Sequence, residues 1–244
     1  TCYLIHKLFL INTFKMTQKL TILFDLDGTL VDTAPDLMSA HNYVMNKFGY
    51  NTKSIDEIRN YVGKGAAVMI GRSLWNEAKK ELSKITDQKI KDKMVEEFLD
   101  YYGKNIVKES KLINGVYDFL KWAKENNISM GVCTNKQENL SVDLLKKIKI
   151  YDFFDYVAGR NTFEYYKPDP RHLTSTIEIM GGDIKKSLMI GDSENDADAA
   201  KSAGIPMILL EDGYTDKKIE QIHHDHLVKD FIGLEKIVST YIND

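Results

Sequence analysis

The sequence predicts an α/β fold: a doubly wound, mostly parallel sheet with helices on both faces and one all-helical insert. Three observations predict it. Strand-like apolar runs recur along the chain with amphipathic helical stretches between them. One segment, from about Pro35 to about Lys111, breaks that alternation and holds no convincing strand. The clearer runs end in polar residues, and open parallel sheets bind ligands beyond the carboxyl ends of their strands.

Residues 1–16, "TCYLIHKLFLINTFKM", are apolar and contain no acidic residue. His6 and Lys7 interrupt the run and no small-residue cleavage site follows, so they read as an N-terminal extension rather than a targeting peptide or a segment packed on the core. Met16 stands just before "TQKLTILFDLDGTL", where the domain is expected to begin. "LTILFD" is the first strand and "ISMGVCTN", Ile128 to Asn135, the second. "YVAGR" is a weaker third, "SLMIGD" (Ser187 to Asp192) a fourth, "PMILLED" a fifth and "HLVKD" a short last one. Helices are expected in "GVYDFLKWAKENN", "ENLSVDLLKKIK", "RHLTSTIEIMGG" and "NDADAAKSAG", three of which end in Gly or Asn as C-caps do. The insert reads as "PDLMSAHNYVMNKFG", "SIDEIRNYV", "AAVMIGRSLWNEA" and "DQKIKDKMVEEFLDYYGKN". Pro35 suits a first helical turn, with Thr33 or Ala34 just outside it. The expected division is residues 17–33 and 112–244 for the sheet core and 34–111 for the insert. No repeat, low-complexity tract or long linker is present.

The chain has 244 residues, 43% hydrophobic and 28% charged, ordinary for a globular protein. A net charge of -3 gives no electrostatic case for nucleic acid or an acidic membrane, and no segment is apolar enough to span one. The two cysteines, Cys2 and Cys133, are far apart and read as reduced thiols of a cytoplasmic protein. Oligomeric state has no signature in the sequence.

The chemistry collects at the strand ends. A carboxylate closing a buried strand is costly unless it is paired or holds a metal. The first strand ends in Asp25, with Asp27 two residues on, so period two lets both face one side; Gly28 then permits a sharp turn. The second ends in Thr134 and Asn135, and the fourth in Asp192, followed by Ser193, Glu194 and Asp196. In "YKPDP", Lys167 is held extended by Pro168, and Pro170 stiffens the same loop. Three aspartates on adjacent loops make a hard oxygen site suited to Mg²⁺. Thr134, the amides near Asn135 and Lys167 would donate to an anion. Such a set describes phosphoryl transfer through an aspartyl phosphate. Other patterns carry less. "DSENDAD" lacks the Gly and Glu of a calcium loop, having Ala197 and Ala203 there. His223, His224 and His226 do not share a helix face and read as a surface loop entering a short strand. Cys133, Trp75, Trp122 and the Tyr101–Tyr102 pair read as packing groups.

"DLDGT", "CTN", "KPDP" and "GDSEND", in that order, resemble the four motifs of the haloacid dehalogenase-like phosphatases, over about Leu20 to Ile242. "TLVDTAPDL", "YVGKGA…GRSL" and "DGYTD" resemble that superfamily's bacterial phosphoglycolate phosphatase branch. The resemblance implies a Rossmann-like core, an α-helical cap inserted after the first motif, and a magnesium-dependent phosphatase acting on a small phosphorylated metabolite. It implies Asp25 as nucleophile and Asp27 as general acid/base. It implies magnesium on the Asp25 carboxylate, the Asp27 backbone carbonyl and Asp192, with phosphate on Thr134, Asn135 and Lys167. Asp196, with Ser193 beside it, would support Lys167 or a metal-bound water. The core loops serve phosphate and metal alone, so discrimination between leaving groups is expected from the insert. Lys64, between Gly63 and Gly65, and Arg72 are its candidate cations for the carboxylate of phosphoglycolate; otherwise they are a solvated lysine and an arginine paired with a helix acid. Phosphatases for nucleotides, pyrophosphate or sugar phosphates, a phosphomutase, and a non-catalytic binding protein on the same fold are the rivals. A dehalogenase needs neither an acid at Asp27 nor a magnesium cluster.

Overall fold

A computed structural model of the chain describes residues 19–80, 88–215 and 217–242. Residues 1–16 and the Trp75 side chain, for which the sequence carries expectations, lie outside the described residues. In chain order the elements are β1 (Thr21–Phe24), β2 (Val31–Asp32), α1 (Ala34–Lys47), α2 (Ile55–Arg59), α3 (Ala66–Lys80), α4 (Gln88–Lys104), β3 (Lys111–Leu112), α5 (Val116–Glu125) and β4 (Ser129–Cys133). There follow α6 (Glu138–Lys147), β5 (Tyr156–Ala158), α7 (Pro170–Ile179), β6 (Ser187–Gly191), α8 (Glu194–Ala203), β7 (Met207–Leu210), β8 (His226–Val228) and α9 (Leu234–Ile242).

Six strands pair in the order β5-β4-β1-β6-β7-β8, and every pairing is parallel. Taken in their own sequence these strands run 3-2-1-4-5-6, so the order reverses beside β1, where such sheets open a crevice. Leu23 pairs with Gly131 of β4 and with Met189 of β6, which fixes the register of all three site-bearing strands.

Alternation along each strand feeds two separate layers. Ile22 and Phe24 pack with Leu188, Ile190, Ile208 and Leu210 under α5, α6 and α9. Leu23 packs instead with Cys133, Met189, Met207 and Leu209 under α7 and α8. Both faces are covered, which is why the strands read as continuous apolar runs. α9, for which the sequence analysis has no counterpart, closes the first layer with Leu234 and Val238.

Helices α1 to α4 stand between the first two strands of this sheet, α4 packing on both α1 and α3. α1 begins as its residues dictate: Thr33 lies outside, Pro35 is in the first turn, and so is the acidic Asp36. α2 opens on a reciprocal cap between Ser54 and Glu57. The chain leaves through β2 and returns through β3, which pair antiparallel, Val31 with Leu112 and Asp32 with Lys111. This ribbon escapes the sequence reading because two residues show no periodicity, and β3 straddles the 111/112 boundary expected there. Buried Asp36 fastens the returning chain, accepting from the amides of Lys108 (3.0 Å), Glu109 (3.1 Å) and Ser110 (2.9 Å) and from Ser110 Oγ (2.6 Å). Among the described residues, no helix is long and apolar enough to cross a membrane.

Candidate active site

The ladder between β1 and β6 runs one residue past the strand: the Asp25 amide donates to the Ile190 carbonyl at 3.0 Å. The chain then turns at Gly28, whose φ is +86°. A Cβ there would stand 2.3 Å from Asp192 Oδ2 and 2.9 Å from Tyr214 Cδ2, so only glycine brings the loop this close. Asp25, Asp192 and Asp196 each present a carboxylate oxygen within 4.8 Å of the others, and all three are buried.

Their partners divide them. Asp196 accepts from Lys167 Nζ (2.5 Å), the Ser193 amide (3.0 Å) and Ser193 Oγ (2.8 Å), so both its oxygens are engaged by the protein. Asp192 accepts from Thr29 Oγ1 (2.7 Å) and the Tyr214 amide (2.6 Å), one to each oxygen, which leaves a lone pair on each. Lys167 Nζ also lies 3.0 Å from Asp25 Oδ1, but off the direction a hydrogen bond requires. That oxygen is therefore buried with no hydrogen-bond donor among the described residues.

Burial pushes the Asp25 carboxyl up to about 6 against the pull of Lys167, with Asp196 and Asp27 adding to the push. Burial, then Asp25 and Asp196, raises Asp192 well above the usual carboxylate range. Burial disfavours the Lys167 ammonium, but Asp196 and Asp25 outweigh it and hold that group above its ordinary value. Three buried carboxylates against one ammonium leave room for further positive charge. The donor set, all hard oxygen with an unpartnered oxygen on Asp25, fits a divalent cation such as Mg²⁺.

Asp27 lines a cavity of about 140 Å³ between the insert and the sheet, and Asp25 lines it too. Thr33 Oγ1 donates to its Oδ1 at 2.7 Å, and Lys136 Nζ donates to both oxygens at 3.0 and 3.1 Å. Lys136 follows "CTN" on the loop after β4, and its ammonium sits 4.3 Å from the ring centroid of Tyr102 of α4. Neither partner of Asp27 is foreseen from the sequence. The available signal was the position of Lys136 one residue past the Thr134–Asn135 strand end. Tyr102 goes beyond its expected packing role.

Thr134 is buried at the end of β4, its amide donating to the Ala158 carbonyl at 2.9 Å. Asn135 turns its side chain elsewhere: Nδ2 donates to the carbonyls of Gly63 (3.0 Å) and Lys167 (2.9 Å), tying the insert to the core. Asn195 Nδ2 reaches the same Gly63 carbonyl at 3.3 Å. Lys64 pairs with Glu194, at the start of α8, at 2.8 Å, and Arg72 donates to the Asn60 carbonyl at 2.8 Å. Neither side chain lines the cavity, whose cations are Lys136 and Arg160. His224 Nδ1 meets the Ile222 carbonyl at 2.8 Å, while His226, in β8, meets Tyr241 Oη at 3.0 Å. The one metal-suited acidic group among the described residues is the aspartate cluster.

The chain matches the family model described as haloacid dehalogenase-like hydrolase over residues 22–210. It is 38% identical over 215 residues to the phosphoglycolate phosphatase of Mesorhizobium japonicum, covering 87% of this chain and 92% of that one. It is 39% identical over 222 residues to the phosphoglycolate phosphatase of Agrobacterium fabrum, covering 89% and 93%. The crystal structure of a predicted phosphoglycolate phosphatase from Haemophilus somnus superposes with a TM-score of 0.85 at 30% identity, over 91% of this chain and 99% of that one.

Proposed function

The chain belongs to the haloacid dehalogenase-like hydrolase family and is a phosphatase, and from that premise we propose that it hydrolyses 2-phosphoglycolate to glycolate and phosphate through an aspartyl phosphate on Asp25. The observation that carries the reading is Asp25 Oδ1: a buried carboxylate oxygen without a donor, 3.0 Å from Lys167 Nζ and beside Asp192. An oxygen with no hydrogen bond to give up is ready to attack phosphorus.

Lys167, held by Asp196, draws the phosphate to Asp25, and Thr134 donates to it from the end of β4. Asp25 Oδ1 bonds to phosphorus as the ester P–O bond breaks, and Asp27 delivers a proton to the departing oxygen. Asp27 then takes a proton from water as that water attacks the phosphoryl group and frees Asp25. Mg²⁺, held by the Asp25 carboxylate, the Asp27 carbonyl and Asp192, would neutralise charge on the phosphoryl oxygens. The insert, acting as a cap, keeps bulk water from the site.

The names of the relatives support phosphoglycolate as the substrate, and so does a small cavity with a lysine in it. The test is phosphate release with Mg²⁺ over a panel of small phosphomonoesters, compared by kcat/KM. We expect 2-phosphoglycolate to lead the panel, activity to vanish in EDTA and return with Mg²⁺, and Asp192→Ala to abolish turnover or raise the metal requirement. Full activity in chelator would overturn the metal role. A leading substrate without a carboxylate would overturn the substrate.

A further inference from the structure

We propose that Lys136 Nζ and Tyr102 Oη together form the receptor for a carboxylate on the leaving group, placed one or two carbons from the ester oxygen; this rests on the phosphatase reading above and names the groups that choose its substrate.

Four observations converge on it. Lys136 is buried, its side chain 6% exposed, and its ammonium already grips a carboxylate with both oxygens, that of Asp27. Tyr102 is 1% exposed and lines the same cavity, yet its hydroxyl has no hydrogen-bond partner among the described residues. A buried hydroxyl left unpaired costs free energy unless something arrives to meet it. Burial, with Asp27 and Asp36 adding to it, raises the Tyr102 hydroxyl well above its ordinary value, so it stays a donor. Finally, Gly65, Ala66 and Ala67, at the N-terminus of α3, line the cavity too and add a favourable field for an anion.

The chemistry of the receptor sets the length of its ligand. Asp27 must reach the leaving oxygen within hydrogen-bond distance, and Lys136 Nζ is itself at hydrogen-bond distance from Asp27. Lys136 Nζ therefore lies within about two hydrogen-bond lengths, about 6 Å, of the leaving oxygen. A 2-phospho-carboxylate fits that span; a carboxylate at the far end of a long chain does not. Arg160 is the other cation in the cavity, but its guanidinium is stacked 3.6 Å over the Tyr166 ring. Lys136 comes from the core and Tyr102 from the insert, so the receptor is complete only with the two closed on each other.

The test is the ratio of kcat/KM for 2-phosphoglycolate to that for ethyl phosphate, which is of similar size and lacks the carboxylate. It is measured with Mg²⁺ in the full chain, in Lys136→Met and in Tyr102→Phe, each checked for folding by its thermal melt. The ratio cancels whatever either change does to Asp27 itself. We expect it to fall about tenfold to a hundredfold in Lys136→Met, as for the loss of a charge-assisted hydrogen bond, and about tenfold in Tyr102→Phe. Lys136→Arg should recover part of the loss. A high ratio in the parent that survives in both variants would overturn the receptor while leaving the substrate reading intact. A ratio near one in the parent would overturn both.

Discussion

Lys64→Ala separates two roles for a cation in the insert. Lys64 Nζ lies 2.8 Å from Glu194 Oε1, with the lysine side chain 30% exposed and the glutamate 8%. The next carbonyl along, that of Gly63, is gripped by Asn135 and Asn195. The pair therefore latches the insert onto the N-terminus of α8. Removing the lysine strands a buried carboxylate, but Thr215 Oγ1 still donates to Glu194 at 2.7 Å. The cost is then about 1–2 kcal/mol, the lower part of the range for a stranded buried acceptor. That corresponds to about 5–30-fold in the population of the closed insert. Because Lys64 does not line the cavity, kcat/KM should fall by up to that factor for 2-phosphoglycolate and ethyl phosphate alike. The latch also has a pH signature. Burial raises the Glu194 pKa, but the hydrogen bonds from Lys64 and Thr215 outweigh it and hold the carboxyl below its ordinary 4.5. A depressed carboxylate contributes fully above its unfolded value and is lost as pH falls through the folded one. Urea midpoints of the parent and Lys64→Ala should thus differ at pH 7 and converge well below pH 4.5. A loss confined to 2-phosphoglycolate would refute the latch and put Lys64 on the substrate carboxylate instead.

Asp25→Asn should leave a folded protein without turnover, since an amide is a poor nucleophile at phosphorus; activity near the parent's in a contaminant-free preparation would sink the covalent route. Gly28→Ala should cost at least about 1–3 kcal/mol, from a left-handed backbone and a Cβ driven against Asp192 and Tyr214. An unchanged urea midpoint would contradict that geometry. Burial, helped by Lys167, pushes the His172 imidazole down to about 4. A histidine depressed on folding stabilises above its unfolded value of 6.5 and loses that contribution as pH falls toward 4, about 3 kcal/mol in all. His172→Gln should remove this part of the acid limb in pH-dependent denaturation, and an identical slope would argue against it.

What the sequence made legible were residues whose place in the candidate site follows from their position on their own strand. Asp25, Thr134 and Asp192 each close an apolar run, and a parallel sheet brings such ends together whatever the rest of the chain does. Lys167 was legible from the prolines around it. Asp27 was half legible: its presence was plain, its partner was not. Lys136 lies 109 residues away, and a lysine in a loop reads as solvated until the fold buries it. Tyr102 is hidden by the same logic, since its stack on Phe98 gives it an ordinary packing reason to be apolar. Lys64 drew attention because a lysine between two glycines invites an anion, and nothing local announces its pairing with Glu194. Asn135 shares the motif with Thr134, yet its amide serves two carbonyls and so ties Gly63 of the insert to the Lys167 loop.

The short ribbon of β2 and β3 decides what descent can change in this molecule. Paired strands put the departure and return of the chain about 5 Å apart, and just inside them the Ile113 amide donates to the Leu30 carbonyl at 3.0 Å. To the sheet, everything from α1 to α4 is a detour with coincident ends. It can be lengthened, refaced or exchanged whole without moving the registers that set Asp25 beside Thr134 and Asp192. Tyr102, the insert's share of the proposed receptor, can thereby change while Lys136 stays with the reactive strand ends of the core. A lineage can acquire a taste for a new leaving group without relearning how to break the phosphate ester.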